Sequence, residues 1–259
     1  MPHTTLITGA SSGIGLELAR VAARHGDDII LVARSRPKLE ILASELKKAH
    51  GVKVHIIEKD LSLPSASKEV FTEVSALGLT VNHLINNAGF GDFGKFSLTD
   101  GDKEGQMIDL NIKSLTHMTK LFLPSMIEGK YGRIMNLAST AAFQPGPGMA
   151  VYFATKAYVL SFSEAISEEL LSTGVTVTAL CPGPTESGFA AVSHMDSSKL
   201  FQGRKLPTSR EVAEYGYHAM MQGQVVAVHG WMNLILTEFV RFTPRFLIRK
   251  IVGSMQKKA

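Results

Sequence analysis

Seven short runs rich in Val, Ile and Leu, each followed by a longer segment of different periodicity, constrain this chain more than any other feature. The runs are TTLIT (4–8), DIILVA (28–33), VKVHII (52–57), HLIN (83–86), GRIMNLAS (132–139), VTVTALC (175–181) and QVVAVHG (224–230). Between them the spacing predicts helices over about 13–25, 36–50, 64–76, 102–128, 150–173 and 208–221. Near-continuous apolar strands separated by helices imply a parallel sheet covered on both faces, joined by right-handed crossovers. The expected fold class is therefore α/β, a doubly wound parallel sheet of about seven strands.

No internal repeat, low-complexity tract or Pro/Ser linker divides the chain. Residues 1–230 are expected to form one domain, with 231–259 as a C-terminal extension. Two irregular segments interrupt the alternation: Gln144–Met149, and about 25 residues after Cys181. A loop that long in a compact domain implies function or mobility. It follows the carboxyl end of a strand, where open α/β sheets bind their ligands.

The first strand runs into Thr8-Gly9-Ala10-Ser11-Ser12-Gly13-Ile14-Gly15 and then an amphipathic helix. Glycines at such a turn permit positive φ, bring backbone N–H groups close to a diphosphate and set that anion at a helix N-terminus. The same residues match Gly-x-Ser-x-Gly, a hydrolase nucleophile elbow with Ser11 as nucleophile, but that elbow would then lie on the first strand, whereas the hydrolase fold needs several strands before it.

Later residues decide between the two. Ser139 is expected at the end of the fifth strand, and Tyr152 and Lys156 follow as Tyr-x-x-x-Lys, an i, i+4 pair on one helix face. A free phenol titrates near pKa ~10, so an adjacent ammonium is expected to lower it toward neutral pH.

With these motifs in order, together with Asp60-Leu61, Asn86-Asn87-Ala88-Gly89, Asn111 and Pro182-Gly183, the chain resembles the short-chain dehydrogenase/reductase family in its single-domain, Rossmann-type form. The matching motifs run from Thr8 to about Gly230. The resemblance implies reversible carbonyl reduction or alcohol oxidation with a nicotinamide dinucleotide. It implies that Ser139 hydrogen-bonds the substrate oxygen, that Tyr152 exchanges the proton, and that Lys156 grips the nicotinamide ribose while acidifying Tyr152. Asn111 would position a water linking Lys156 to solvent. Gly9, Ser11, Ser12, Gly13, Ile14 and Gly15 would cradle the diphosphate, and Asp60 and Leu61 would meet the adenine. Asn87, Ala88 and Gly89 would line the adenosine ribose, and Pro182, Gly183, Thr185 and Ser187 would meet the carboxamide. At 187 the family usually carries Thr. A catalytically silent dinucleotide-binding protein would be expected to have a damaged tetrad, and Asn111, Ser139, Tyr152 and Lys156 are all present.

An NAD-preferring site places an acid after the second strand to accept the ribose 2′-OH bonds. Here the segment is Ala33-Arg34-Ser35-Arg36. With Arg34 available to stack on adenine and pair with a phosphate, the expected cofactor is NADP(H), with Arg36 and Lys38 as further cations.

Asn86 is expected to tie strands together and Cys181 to be a small buried hydrophobe. The nine His show no metal-ligand spacing, so no metal is expected. One Cys and an N-terminus leading directly into a strand pattern point to a cytoplasmic protein. The charge-free run Ile134–Thr155 holds Pro145, Pro147 and several polar residues, unsuited to a membrane-spanning helix. Six of the 27 Lys/Arg but only one acid, Glu238, fall in 231–259, leaving 21 bases and 22 acids in the body. This balance argues against a general nucleic-acid surface. The tail reads as two short amphipathic helices around Pro244, packed on the body, on a neighbouring subunit, on a membrane surface or as a lid. Phe189, Ala190, Ala191 and Val192, with Trp231, Leu234, Leu236 and Phe239 of the tail, are expected to wall a pocket for a hydrophobic carbonyl compound or alcohol. A homo-oligomer, dimer or tetramer, is expected.

Overall fold

In the computed structural model, which describes residues 2–189, 193 and 206–256, one sheet of seven strands runs in the order β3-β2-β1-β4-β5-β6-β7. The strands are β1 (Thr4–Thr8), β2 (Asp28–Ala33), β3 (Val54–Glu58), β4 (His83–Asn86), β5 (Gly132–Leu137), β6 (Val175–Cys181) and β7 (Val226–Val228). Every neighbouring pair is parallel. The chain steps outward from β1 to β3, then returns to the other side of β1 through β4. A crevice therefore opens beyond the carboxyl ends of β1 and β4, at the reversal of strand order.

The helices are α1 (Gly13–Arg24), α2 (Arg36–His50), α3 (Ala66–Ala76), α4 (Gly101–Ile108), α5 (Leu115–Glu128), α6 (Ala150–Glu169), α7 (Ser209–Met221), α8 (Trp231–Phe242) and α9 (Arg245–Met255). Successive strand residues point to opposite faces, and both faces are apolar. Ile7, Ile29, Leu31 and Ile85 pack under Leu18, Leu39, Leu42 and Met220. Leu6, Ile30, Val32 and Leu84 pack against Val70, Val74, Met118 and Phe122. This two-sided burial is what the near-continuous apolar runs record.

Several bounds shift by one or a few residues from the sequence reading, and three differences bear on the site or its surroundings. β5 ends at Leu137, and Ser139 instead caps a 3₁₀ turn, Thr140–Phe143, with its hydroxyl accepting from Ala141 N at 3.1 Å. The long helix expected over 102–128 is divided by a π-helical turn, Asp109–Ser114. The helix expected to reach 173 ends at Glu169. The two tail helices form on either side of Pro244 as the spacing implied.

At the opposite end of the sheet from the crevice, buried Asp27 accepts from Thr5 Oγ1 at 2.6 Å and Tyr217 OH at 3.1 Å, and lies 3.0 Å from His83 Nδ1. This polar cluster joins β1, β4 and α7. No helix among the described residues is long and apolar enough to cross a membrane.

Candidate active site

The turn after β1 is shaped by how closely the turn after β4 approaches it. Gly9 has φ +67, and a Cβ there would lie 2.8 Å from Asn87 Nδ2 and 2.9 Å from Ala88 Cα. At Gly15 a Cβ would come still nearer to the same amide. Asn87 occupies this space because its Nδ2 donates to the carbonyls of Thr8 at 2.9 Å and Gly9 at 3.3 Å. Thr8 Oγ1 in return accepts from the backbone N–H of Asn87 and of Ala88, both at 3.0 Å. The two glycine-containing motifs are thus one hydrogen-bonded unit, and Gly13, at φ +57, opens α1 beside it.

Beyond this unit lies a cleft of about 550 Å³. Gly9, Ser11, Ser12, Gly13 and Ile14 line one part of it, with Arg34, Asp60, Leu61, Asn87, Ala88 and Gly89. Ser139, Tyr152, Lys156, Pro182, Gly183, Thr185 and Ser187 line the other part. Two expected site residues lie behind the surface. Gly15 packs under Asn87, and Asn111 sits within the π-helical turn.

The Asn111 side chain is heavily engaged. Its Nδ2 donates to Phe90 O at 3.0 Å and Thr155 Oγ1 at 3.1 Å, and its Oδ1 accepts from Phe90 N at 3.1 Å. The side chain is thus committed to protein partners, and a water positioned by Asn111 would have to use its backbone or the remaining lone pair. Both amide hydrogens are spent on holding the Phe90 loop against α6, leaving one lone pair of Oδ1. A Cβ on Gly89 would meet that Oδ1 at 2.9 Å and Lys156 Nζ at 3.7 Å. A π-helical turn at such a position is a frequent mark of a functional site.

The protonation expectation for Tyr152 is corrected. Burial pushes the phenol up to about 12, with the hydrogen bond to Ser139 pulling only partly back. Burial pushes the Lys156 ammonium down to about 8. Nζ lies 5.7 Å from the centre of the Tyr152 ring and donates to Leu137 O at 2.6 Å. The i, i+4 spacing puts the two side chains on one face, but the ammonium is drawn to the end of β5.

At the far end of the cleft Arg34 is highly exposed, 3.9 Å from Asp60 Oδ2. Asp60 Oδ1 accepts from the backbone and hydroxyl of Ser62 at 3.0 and 2.7 Å. Lys38 lines the cleft, whereas Arg36 lies 3.8 Å from both Glu40 and Glu58 and is absent from the described lining. Thr185 Oγ1 donates to Gly183 O at 2.9 Å, and Ser187 Oγ accepts from Phe189 N at 3.3 Å. Asn86 donates to Thr119 and Asn136, the strand-tying role read for it. Cys181 is fully buried, its thiol pushed up to about 12 by that burial. No histidine is among the described lining residues, so a Ser11 hydrolase would find no imidazole base there. Among the described residues no cluster of three or more His, Cys, Asp or Glu could hold a metal ion.

The tail wall differs from expectation. Trp231, Leu234, Leu236 and Phe239 are exposed, because α8 turns the opposite face inward. Thr237 is buried, and Asn233 lies over Gly183, 2.7 Å from where its Cβ would stand. Of the described tail residues Gln256, at the end of α9, lines the cleft, and Ile248 and Val252 pack behind it on Ala141, Met149 and Phe153; none of the three was singled out in the sequence. Nothing local in the sequence marks them, since their role depends on where the tail lands. Phe189 lines the cleft, while Ala190, Ala191 and Val192 lie outside the described residues.

A model of the short chain dehydrogenase family matches residues 3–197. The chain is 33% identical over 257 residues to the very-long-chain 3-oxoacyl-CoA reductase of Mus musculus, covering 97% of this chain and 79% of that one. Among solved structures it is similar to a short-chain dehydrogenase from Sphingobium yanoikuyae in complex with NADPH, with TM-score 0.83 and 30% identity over 93% of this chain and 94% of that one. It is also similar to the bulky-bulky ketone specific alcohol dehydrogenase from Comamonas testosteroni, with TM-score 0.79 and 28% identity over 93% and 92% of the two chains.

Proposed function

This chain belongs to the short-chain dehydrogenase family, and from that membership we propose that it is an NADP(H)-dependent oxidoreductase that reduces a hydrophobic ketone or aldehyde, or oxidises the matching alcohol. The observation that carries the reading is the gathering of Ser139, Tyr152 and Lys156 around one cleft with the glycine turn of α1. The fit to the cofactor rests on three features. The turn Gly9, Ser11, Ser12, Gly13 and Ile14 lines the cleft, and α1 presents its N-terminus there for a diphosphate. Arg34 and Lys38 line the cleft as cations suited to a 2′-phosphate, and the segment Ala33–Arg36 after β2 carries no acid. NADPH is also the cofactor of the Sphingobium relative.

NADPH, when bound, supplies the hydride that adds to the carbonyl carbon. The chain's own groups handle the oxygen. Ser139 donates to it, and Tyr152 passes its phenolic proton to it as the C=O π pair becomes an O–H bond. A phenol that burial keeps protonated is suited to that donation. Lys156 holds positive charge beside the resulting phenolate and would also grip the ribose. Asn111 acts as a positioning residue, fixing the Phe90 loop beside Gly89 and Lys156.

The substrate end is apolar: Ala141, Met149, Phe153 and Phe189 line it, with Phe93, Ile248 and Val252 packed behind them. Each buried CH₂ of a ligand there adds about 0.8 kcal/mol, which favours a long or bulky ketone, in keeping with the names of the mouse and Comamonas relatives. Residues 1–230 act in this reading as the catalytic unit and 231–259 as its C-terminal extension, which brings Gln256 to the cleft. The outer face of the tail, with Trp231, Phe239 and Phe242 at 71, 66 and 84% exposure beside Arg241, Arg245 and Arg249, is suited to an anionic lipid surface. NADPH consumption against a panel of long-chain ketones and aldehydes tests the reading, and no turnover of any member would overturn it.

A further inference from the structure

Gln256 is 2% exposed and lines the cleft, yet neither its Oε1 nor its Nε2 has a hydrogen-bond partner among the described residues. A primary amide buried in this way costs free energy unless something pairs with it. Its position is set by helix geometry. Ile248, Val252 and Gln256 follow one another at four-residue spacing, and the backbone N–H of Gln256 still accepts the helical pattern by donating to Val252 O at 3.1 Å. Ile248 and Val252 belong to one buried cluster with Ala141, Met149 and Phe153. Gln256 therefore ends an otherwise apolar stripe that packs on Ala141, Met149 and Phe153, and it alone of the stripe lines the cleft beside them.

We propose that Gln256 is a specificity-determining residue whose amide hydrogen-bonds a second polar group of the substrate, the carbonyl of an ester, thioester or amide beside the reacting ketone. The proposal rests on the ketone-reductase reading and deepens it. The reacting oxygen already has Ser139 and Tyr152, and the diphosphate cradle lies at the other end of the cleft, among the glycines of the α1 turn. What remains for the amide is a group of the substrate itself, and its N–H donor matches a carbonyl acceptor. A plain ketone would leave the amide unpaired, and such sites discriminate against the ligand that lacks the partner.

The test compares wild type with Gln256→Leu, using NADPH and two probes of equal chain length: a long-chain 2-alkanone and the ethyl ester of a long-chain 3-oxo acid. Comparing variant with wild type on each probe cancels their intrinsic reactivities. The expected result is a fall in kcat/KM of about tenfold for the oxo ester and a change within about twofold for the alkanone. Without ligand, Gln256→Leu is expected to melt at or above the wild-type temperature, because an unpaired buried amide has been replaced by an apolar side chain. Equal losses on both probes, no loss on either, a weakened NADPH affinity with unchanged preference, or a clear fall in Tm would each overturn the proposal. If wild type reduces the alkanone but Gln256 proves irrelevant, the reductase reading stands without it. If wild type reduces neither probe, both fall.

Discussion

The ammonium of Lys156 donates to the carbonyl oxygen of Leu137 at 2.6 Å, so the end of β5 fixes the cation that stands beside Tyr152. Burial holds its pKa at about 8, well below that of a free lysine. The charge that would stabilise the phenolate is therefore lost as pH rises through about 8. For ketone reduction kcat/KM is expected to decline above that pH, and Lys156→Arg, which stays protonated, is expected to remove the decline while lowering the maximum. The stability effect has the opposite direction. Because the folded protein gives up this proton more readily than the unfolded chain, wild type should gain stability relative to Lys156→Met between about pH 8 and pH 10. Urea unfolding across that range checks it, and a parallel pair of curves would contradict it.

Arg34 stands exposed on the cleft, 3.9 Å from Asp60, at the end proposed to take the adenine. Arg34→Asp removes a phosphate partner and adds a repelling carboxylate, so preference should move from NADPH toward NADH. The ratio of kcat/KM for the two cofactors measures it. An unchanged ratio would mean that Arg34 does not face the 2′-phosphate.

At the other end of the sheet, burial alone would raise the Asp27 carboxyl, but bonds from His83, Thr5 and Tyr217 outweigh it and hold the group below the usual carboxylate range. The stability this provides is present above that range and is lost as pH falls through it. Asp27→Asn is expected to cost about 2 kcal/mol at neutral pH and less in acid, where the wild-type carboxyl also protonates. Chemical denaturation at both pH values decides the matter, and a pH-independent difference would contradict it.

The sheet was legible because each strand is buried on both faces and so reads as an unbroken apolar run, as DIILVA does. The residues proposed as catalytic were legible because side-chain chemistry at fixed spacing survives without knowledge of the fold. What escaped depends on longer-range geometry. The π-helical turn at Asp109–Ser114 adds a single residue to a helix turn and leaves the apolar spacing nearly intact, so the 102–128 segment reads as one helix. The direction taken by Lys156 Nζ depends on a backbone carbonyl 19 positions away. The tail was recognisable as two helices, yet which face turned inward was set by contacts with Gly183 and the 140–143 turn. Reading its bulkiest residues as the pocket wall inverted that face.

Trp231 is the only tryptophan of the chain and is 71% exposed on the outer face of α8, so its emission reports directly on what covers that face. Anionic vesicles are expected to shift it to the blue, with salt reversing the shift and zwitterionic vesicles leaving it unchanged. A shift that follows protein concentration without lipid would assign the face to a second copy of the chain instead.

Turnover of a long-chain ketone with NADPH by wild type and by Tyr152→Phe, measured beside the affinity of each for NADPH, bears most directly on the proposed chemistry. The variant keeps the ring that packs on Phe189 and loses only the hydroxyl. It is expected to bind NADPH as wild type does and to lose about 10²–10⁴ in kcat, the usual contribution of a positioned proton donor. Near-native turnover by Tyr152→Phe would contradict the account.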